Sequence, residues 1–500
     1  MGEGIRRVRG EAGTPETRLY GNWRRARGFG IGALGTGQTL TVFGVVLAPI
    51  LAAYVSPRAA VVLGLVGAVV VGLVVFRVGG STAAEVILRW VRFTHARSRG
   101  YADLVGGVLT EHPRKADLPG PMAPMVALDT DDGRGGRQGL ILDRRTGMIT
   151  AVIRVSPVGL DLADRSQADA WVASWGAWLA DVGYQPLVRW VAVTVDTAPT
   201  GGSMVRDYVA ARTDAHAPLA AREVMAQLVA ITPATGADVD TRVSITFDPA
   251  RANPRPKGVL EAVAEVTRWL PGLESALGAA GVAVLGRASI EWLTSRLRIA
   301  YDPAARPDVL LGSDQQLASW QDAAPIRASE QWDHWQHDSG ISVSWALQEA
   351  PRQAVTDRVL TPLLAPGVYP RRVTMILEPL PAELAARQVE AEIANNSLRR
   401  AWAARTRRDE TQRDRDDAAR AMQAAQEEAQ GAGVCRFSLY VTTTVIAQAD
   451  LPAATADVEQ RAGQAKIRLR RLRGAHSAGF AASLGLGINP VELARRTQHR

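Results

Sequence analysis

The chain has 500 residues, a formal net charge of +8, a pI near 10.0 and 47% hydrophobic residues, enough for two or three folded units with a sizeable core. A single cysteine, Cys435, excludes an intramolecular disulfide framework and any multi-cysteine zinc or iron–sulfur site. The basic balance suits a nucleic-acid partner, anionic lipid or a membrane protein with cytoplasmic domains, so charge by itself selects none of these.

The first marked stretch, YGNWRRARGFGIG (Tyr20 to Gly32), sets Trp23, Arg24, Arg25 and Arg27 before a segment without charge that runs from Gly28 to Pro57. Inside that segment TLTVFGVVLAPILAAY is almost entirely apolar. After Arg58 comes AAVVLGLVGAVVVGLVVF (Ala59 to Phe76), which as a helix rises about 27 Å, close to the roughly 30 Å of a bilayer core. Two spans joined by VSPR form a tight hairpin that returns both chain ends to one side. Arg18, Arg24, Arg25 and Arg27 flank its entry and Arg77, Arg89, Arg92, Arg97 and Arg99 its exit, against one arginine at the lip. The positive-inside rule then places both termini in the cytoplasm of a plasma-membrane protein, with Trp23 as an interfacial anchor. The paired arginines also fit a twin-arginine export signal, but no small-x-small cleavage site precedes a polar mature domain. Residues 1–30 are thus a basic cytoplasmic segment and 31–77 a transmembrane hairpin, with Pro49 tolerated inside it.

Residues 81–101 intersperse Val86, Ile87, Trp90, Val91 and Phe93 with Arg89, Arg92, Arg97 and Arg99. The pattern predicts an amphipathic juxtamembrane helix with aromatic rings at the headgroup level and arginines, Arg77, Arg89 and Arg92 among them, meeting anionic lipid. The proline-rich EHPRKADLPGPMAPM ends this juxtamembrane and linker segment, 78–120. In the module expected over 121–302, QGLILDRRTGMITAVIRV carries a hairpin signal, and Trp171, Trp175 and Trp178 share one helical face. LVRWVAVTVDT and RVSITFDP read as strands, with helices at about 203–230 and over KGVLEAVAEVTRWLPGLESAL. A polar connector, 303–338, precedes a second module, 339–500. There SVSWALQEA, RRVTMILEPL and CRFSLYVTTTVIA read as strands and ATADVEQRAGQAKIRLRRLRGA as a helix.

The predicted fold class is therefore membrane-anchored α+β. Two N-terminal transmembrane helices precede a cytoplasmic domain of antiparallel sheets with packed helices, in two ferredoxin-like or related modules. No residue-level repeat is visible between the modules. A long segment, 382–430, has Leu384, Val389, Ile393, Leu398 and Trp402 at helical spacing and then RTRRDETQRDRDDAAR with no apolar face. It reads as a helical arm, either partner-binding or simply solvated.

Few residues carry a chemical signature. Lys115, Lys257 and Lys466 follow Arg114, Pro256 and Ala465, so the chain has no P-loop, and the glycines of GFGIGALGTG precede a span and follow no strand. His334 and His337, with Asp333 and Asp338 beside them, would share one face if WDHWQHDSG were helical, yet no third metal ligand can be named. Cys435 opens a strand and reads as a packed core residue. The helical spacing of the tryptophans, and Trp190 on a strand, favour core positions over nucleic-acid stacking platforms. KIRLRRLRGA reads as the last turns of an amphipathic helix, its charges complementing the dipole or touching DNA or lipid. No metal, cofactor or catalytic constellation is expected.

The stretches YGNWRRARGFGIG, WVASWGAWLADVG, WQHDSGISVSWALQEAPRQAV, RRVTMILEPLPAELAARQVE and IRLRRLRGAHSAGFAASLGLG together resemble a family of actinobacterial two-span membrane proteins encoded beside conjugation-type ATPases. The resemblance is weakest over 200–330. It implies a PrgI-like, type IV secretion inner-membrane component: a non-enzymatic scaffold that docks a separate P-loop motor ATPase, contacts other membrane subunits and forms homo-oligomers within the complex. Direct contact with nucleic acid stays open. Similar proteins are also grouped with the EccE-type component of type VII secretion, which is the second reading. A membrane-tethered enzyme using His334 and His337 is the third.

Overall fold

The computed structural model describes residues 20–21, 36–106, 117–159, 163–200, 216–231, 236–311, 319–381 and 433–498, with isolated positions in 206–214 and 383–387. Trp23, Arg24, Arg25, Arg27 and nearly all of the arm at 382–430 lie outside these residues.

Two apolar helices come first, α1 (Thr36–Ala53) and α2 (Pro57–Val75). Ser56 caps α2 by accepting from the amide of Ala59, and Pro57, whose fixed φ suits a first turn, opens the helix. A two-residue ribbon (77–78 against 81–82) turns through Gly79 and Gly80, both at positive φ, and leads into α3 (Ala83–Ser98), capped by Thr82.

The rest of the chain builds one 13-stranded sheet. In chain order its elements are β1 (Asp103–Val105), β2 (Met125–Asp131), β3 (Arg137–Asp143), β4 (Ile149–Pro157), α4 (Arg165–Gly183), β5 (Val188–Thr200), α5 (Leu219–Ile231), β6 (Gly236–Phe247), α6 (Val259–Leu277) and β7 (Val282–Arg287). Then follow α7 (Ile290–Tyr301), α8 (Arg306–Leu311), β8 (Arg327–Glu330), β9 (Trp335–His337), β10 (Gly340–Glu349), α9 (Thr361–Leu364), β11 (Arg371–Pro379) and β12 (Cys435–Val445). The chain closes with α10 (Leu451–Gln464), β13 (Arg468–Arg471), α11 (His476–Ser483) and α12 (Pro490–Gln498). The spatial order is β1-β8-β9-β10-β12-β11-β5-β6-β4-β3-β2, with β7 on β4 and β13 on β10. Every pairing is antiparallel, so the expected α+β class with antiparallel strands is met, and the strands join in one large sheet where separate sheets were expected.

Strand alternation sorts the two faces chemically. One face presents Ile153, Val191, Val243 and Ile245 to Trp178 and Val182 of α4 and to Val266 and Leu270 of α6. It continues through Val343, Trp345, Val373 and Val441 to Ala454 and Val458 of α10. The other face presents Thr150, Thr194, Ser244, Thr246, Ser342, Ser344, Thr374 and Thr442, all buried. Cross-strand hydroxyl pairs, such as Thr150 with Thr246 at 2.9 Å and Ser344 with Thr442 at 2.9 Å, satisfy much of it. The turn after α11 lies on this face, where Gly485 sits over Thr194 and Gly487 over Thr150, both glycines at positive φ.

The pairings recur about the central pair Thr194–Thr374, whose hydroxyls meet at 2.9 Å. On one side Thr194 opposes Arg242, Ser244 opposes Val152, and Ile153 opposes Arg287. On the other Thr374 opposes Tyr440, Thr442 opposes Ser344, and Trp345 opposes Arg471. Even the exits match: the amide of Ala288 donates to the Val152 carbonyl and that of Leu472 to the Ser344 carbonyl, both at 2.9 Å.

Three sequence expectations are corrected. The helix read over 454–475 ends at Gln464, Lys466 turns the chain at φ 56°, and Arg468–Arg471 is strand β13. The alternation in KIRLRR places Ile467 and Leu469 in the core, which is a strand period and not a helical one. The connector read over 303–338 supplies α8, β8 and β9, and β1, within the segment read as linker, pairs with β8. The helix read over 203–230 is interrupted: residues 213, 214 and 216–218 are not helical, and the helix proper runs from Leu219 to Ile231, the expected start at 203 lying outside the described residues.

Candidate membrane-facing site

Among the described residues one helix, α2, is long and apolar enough to cross a membrane, with a mean hydropathy of 2.5. The apolar stretch of α1, Gln38–Ala53, is shorter. Protein covers little of either: Leu65 is 67% exposed, Val69 63% and Leu40 69%. An isolated apolar surface on this scale is costly in water and favourable in lipid. The helices meet where Gly67 admits Val45, since a Cβ there would stand 2.7 Å from the valine methyl. Beside that contact an apolar groove of about 870 Å³ runs between Val45, Pro49, Gly64, Ala68 and Gly72.

α3 follows α2 after the 77–82 ribbon and has two distinct faces. Ile87, Leu88, Trp90 and Val91 are exposed, Trp90 at 53%. Along one flank stand Arg92, exposed, and Arg89, whose Nε donates to the Glu85 carbonyl at 3.2 Å while its guanidinium lies 3.8 Å from the Glu85 carboxylate. Arg77, also exposed, stands at the junction with α2. The opposite face of α3 is bound to the sheet domain. Phe93 is buried with its ring centroid 5.6 Å from that of Trp332, and Gly474 fits against the Trp332 ring and the Phe93 Cβ. Arg97 Nη1 donates to Gln331 Oε1 at 2.9 Å, and Arg470 Nη1 donates to the buried Ser81 hydroxyl at 3.2 Å. α3 and the ribbon before it are thereby tied to the turn between β8 and β9 and to β13.

Of the eight residues read from the sequence as anchors, the structure places Arg77 on the ribbon after α2 and Arg89, Trp90 and Arg92 on α3. Phe93, read from the sequence as an aromatic ring at the headgroup level, is instead buried against Trp332, and its partners there, with Ser81, Arg470 and Gly474, were missed. Their partners lie more than 200 positions apart, as in Arg97 and Gln331, and no local pattern signals such a pairing.

The histidine pair is also corrected. His334 closes the turn between β8 and β9, its carbonyl accepting from the Gln331 amide at 2.9 Å, whereas His337 ends strand β9, so the two do not share a helical face. His334 bonds Asp333 at 2.8 Å; His337 is buried, with Nδ1 2.6 Å from the Tyr301 carbonyl and Nε2 2.7 Å from the Ser342 hydroxyl. Asp338 holds the β8–β9 hairpin by accepting from the amides of Ile326 and Arg327. Among the described residues no group of three or more His, Cys, Asp or Glu side chains is arranged to hold a metal. Trp175 stacks on Trp178 at 5.0 Å, and Trp178 Nε1 donates to the Leu273 carbonyl, so these rings belong to the core. Cys435 begins β12 half-buried, and burial pushes its thiol pKa up. No family model matches the chain, and no curated protein matches it.

Proposed function

We propose that the chain is a non-enzymatic inner-membrane scaffold of a conjugative, type IV secretion-like transfer machine. In this reading α1 and α2 form a two-span hairpin, both termini are cytoplasmic, and the sheet domain docks a separate P-loop motor ATPase. The observation that carries the anchoring is that the exposed apolar helix α2 leads through the 77–82 ribbon to α3, the ribbon being held to the sheet domain by Ser81 and the helix by Phe93 and Arg97. A domain so rooted stays against the membrane face. The exposed row Ile87, Leu88, Trp90 and Val91, flanked by Arg89 and Arg92, then lies in the headgroup layer of anionic lipid. The matching strand registers about Thr194–Thr374 support the finer proposal that the sheet domain consists of two related modules. The transfer machine itself rests on the sequence resemblance.

Purification of the full chain in mild detergent is expected to retain a P-loop ATPase encoded beside it. Recovery without that ATPase counts against the scaffold reading, and recovery with small secreted WxG-type proteins instead moves the assignment to type VII secretion. Topology is checked separately: a reporter fused before Tyr20 should be cytoplasmic and one inserted at Val55 extracytoplasmic.

A further inference from the structure

On the hydroxyl-bearing face of the first half of the sheet, five arginines converge. Arg154 and Arg242 are directly opposed across β4 and β6, and Asp196 and Asp240 across β5 and β6. Like charges placed so repel unless other groups compensate. Part of the compensation is the indole of Trp292 on α7: the guanidinium carbons of Arg154, Arg296 and Arg242 lie 5.2, 5.6 and 6.0 Å from its centroid. The rest is ionic. Arg242 pairs with Asp240, Arg372 Nε bonds Asp196 at 2.8 Å, and Asp238 is shared by Arg296 at 3.2 Å and Arg306 at 2.8 Å. Five guanidinium groups therefore face three carboxylates. The deficit is localised, because Arg154 has no carboxylate partner among the described residues and meets only the indole. Deeper in the cluster Arg372 Nη1 is buried without a hydrogen-bond partner.

The uncompensated end is open. Gly286 stands opposite Arg154 in the β7 register, and a side chain there would meet nothing within 4 Å. Arg154, Trp292 and Arg296 are only half-buried, whereas Arg242 and Arg372 are buried. Guanidinium forks in such partly desolvated positions match the geometry and charge of phosphate oxygens.

We infer that Arg154 and Arg296, held against Trp292 and backed by Arg242, form a binding site for a phosphate-type oxyanion on a small soluble molecule. A lipid phosphate is the less fitting source, because the contacts that root the membrane helices, Ser81 with Arg470 and Phe93 with Trp332, are all on the other half of the sheet.

The test uses the full chain in detergent, titrated with inorganic phosphate at constant ionic strength and followed by intrinsic tryptophan fluorescence and thermal midpoint. Saturable binding is expected, with a raised midpoint. Arg154→Gln should weaken it roughly tenfold or more, as expected for loss of a charge-assisted contact, and Arg154→Lys should weaken it less. Arg154→Gln relieves a like-charge pair, so its midpoint without phosphate should not fall. Arg268→Gln, on the exposed side of α6, is the unaffected control. Absence of saturable binding in the unaltered chain, or equal affinity in Arg154→Gln, overturns the proposal. An Arg154-dependent gain seen only in nanodiscs containing phosphatidic acid, and not with inorganic phosphate, overturns the soluble source.

Discussion

At the scale of single residues the buried histidines make the protein acid-sensitive. His337 donates from Nδ1 to the Tyr301 carbonyl and accepts at Nε2 from Ser342, which leaves no place for a second proton. His476 accepts at Nδ1 from the Ser344 amide at 3.1 Å. Burial is the main cause that lowers both pKa values, to about 4 for His337 and about 3 for His476. The unfolded chain takes up these protons near pH 6.5, before the folded one does. Stability is therefore fully present above about pH 6.5 and is lost as pH falls towards 4, by up to about 1.4 kcal/mol per pH unit for each histidine. Glu330, raised by burial despite accepting from the amides of His476 and Ser477, works in the opposite sense above its unfolded value. Guanidinium unfolding at several pH values should thus show a smaller acid loss for His476→Asn than for the unaltered chain; an unchanged loss refutes the assignment. Asp196 has its own window. Burial would raise it, but Arg372, Arg242 and Arg306 outweigh burial and hold it at about 2. It contributes roughly 2 kcal/mol above about pH 4, lost towards pH 2, and Asp196→Asn should remove that window. Gly485, at φ 66° over Thr194, should tolerate no side chain: Gly485→Ala is expected to cost roughly 2–5 kcal/mol in the same assay.

At the scale of elements, α3 decides whether the two apolar helices move with the sheet. Its attachment rests on Phe93 against Trp332 and Gly474, with the Arg97–Gln331 hydrogen bond beside it and the Arg470–Ser81 bond on the preceding ribbon. Phe93→Ala is expected to cost about 3 kcal/mol of local docking free energy. Hydrogen exchange should show loss of protection in α3 and the 81–82 ribbon, with β5 and β6 unchanged. Unchanged protection in α3 would mean that Phe93 does not hold it. By contrast Trp90→Ala removes exposed apolar surface only. It should leave exchange in the sheet unaltered while weakening flotation with anionic vesicles of a chain from which the hairpin has been deleted. The short strand β13 shows the same dependence on context: four residues rich in arginine form a strand because β10 offers Trp345 to Glu349 as a partner edge.

For the whole molecule, the pair β5–β11 is where two similar strand arrangements become one sheet. Thr374 accepts from Thr194 and donates to the Ser483 carbonyl at 2.5 Å, so its hydroxyl joins both halves to the turn that crosses them. Thr374→Val leaves a buried donor and a buried acceptor unpaired, a loss of about 1–3 kcal/mol for each. Exchange protection should fall together in α6 of one half and α10 of the other. A fall confined to one half would show that the pair does not couple them.

The apolar helices, the alternating strands and the core tryptophans of α4 were legible from local periodicity, because a side chain's face is set by its neighbours three, four or two positions away. The amphipathic character of α3 was legible for the same reason. What the tertiary structure decided was which distant segments share an edge or a face: β1, β8 and β9 as sheet strands within stretches read as linkers, α3 seated on Trp332, and His334 and His337 parted. It also decided that Arg154, Arg242 and Arg296, scattered along the chain, surround one indole. These arrangements follow from long-range strand register, where each residue's partner is fixed by the whole sheet and leaves no mark in the local sequence.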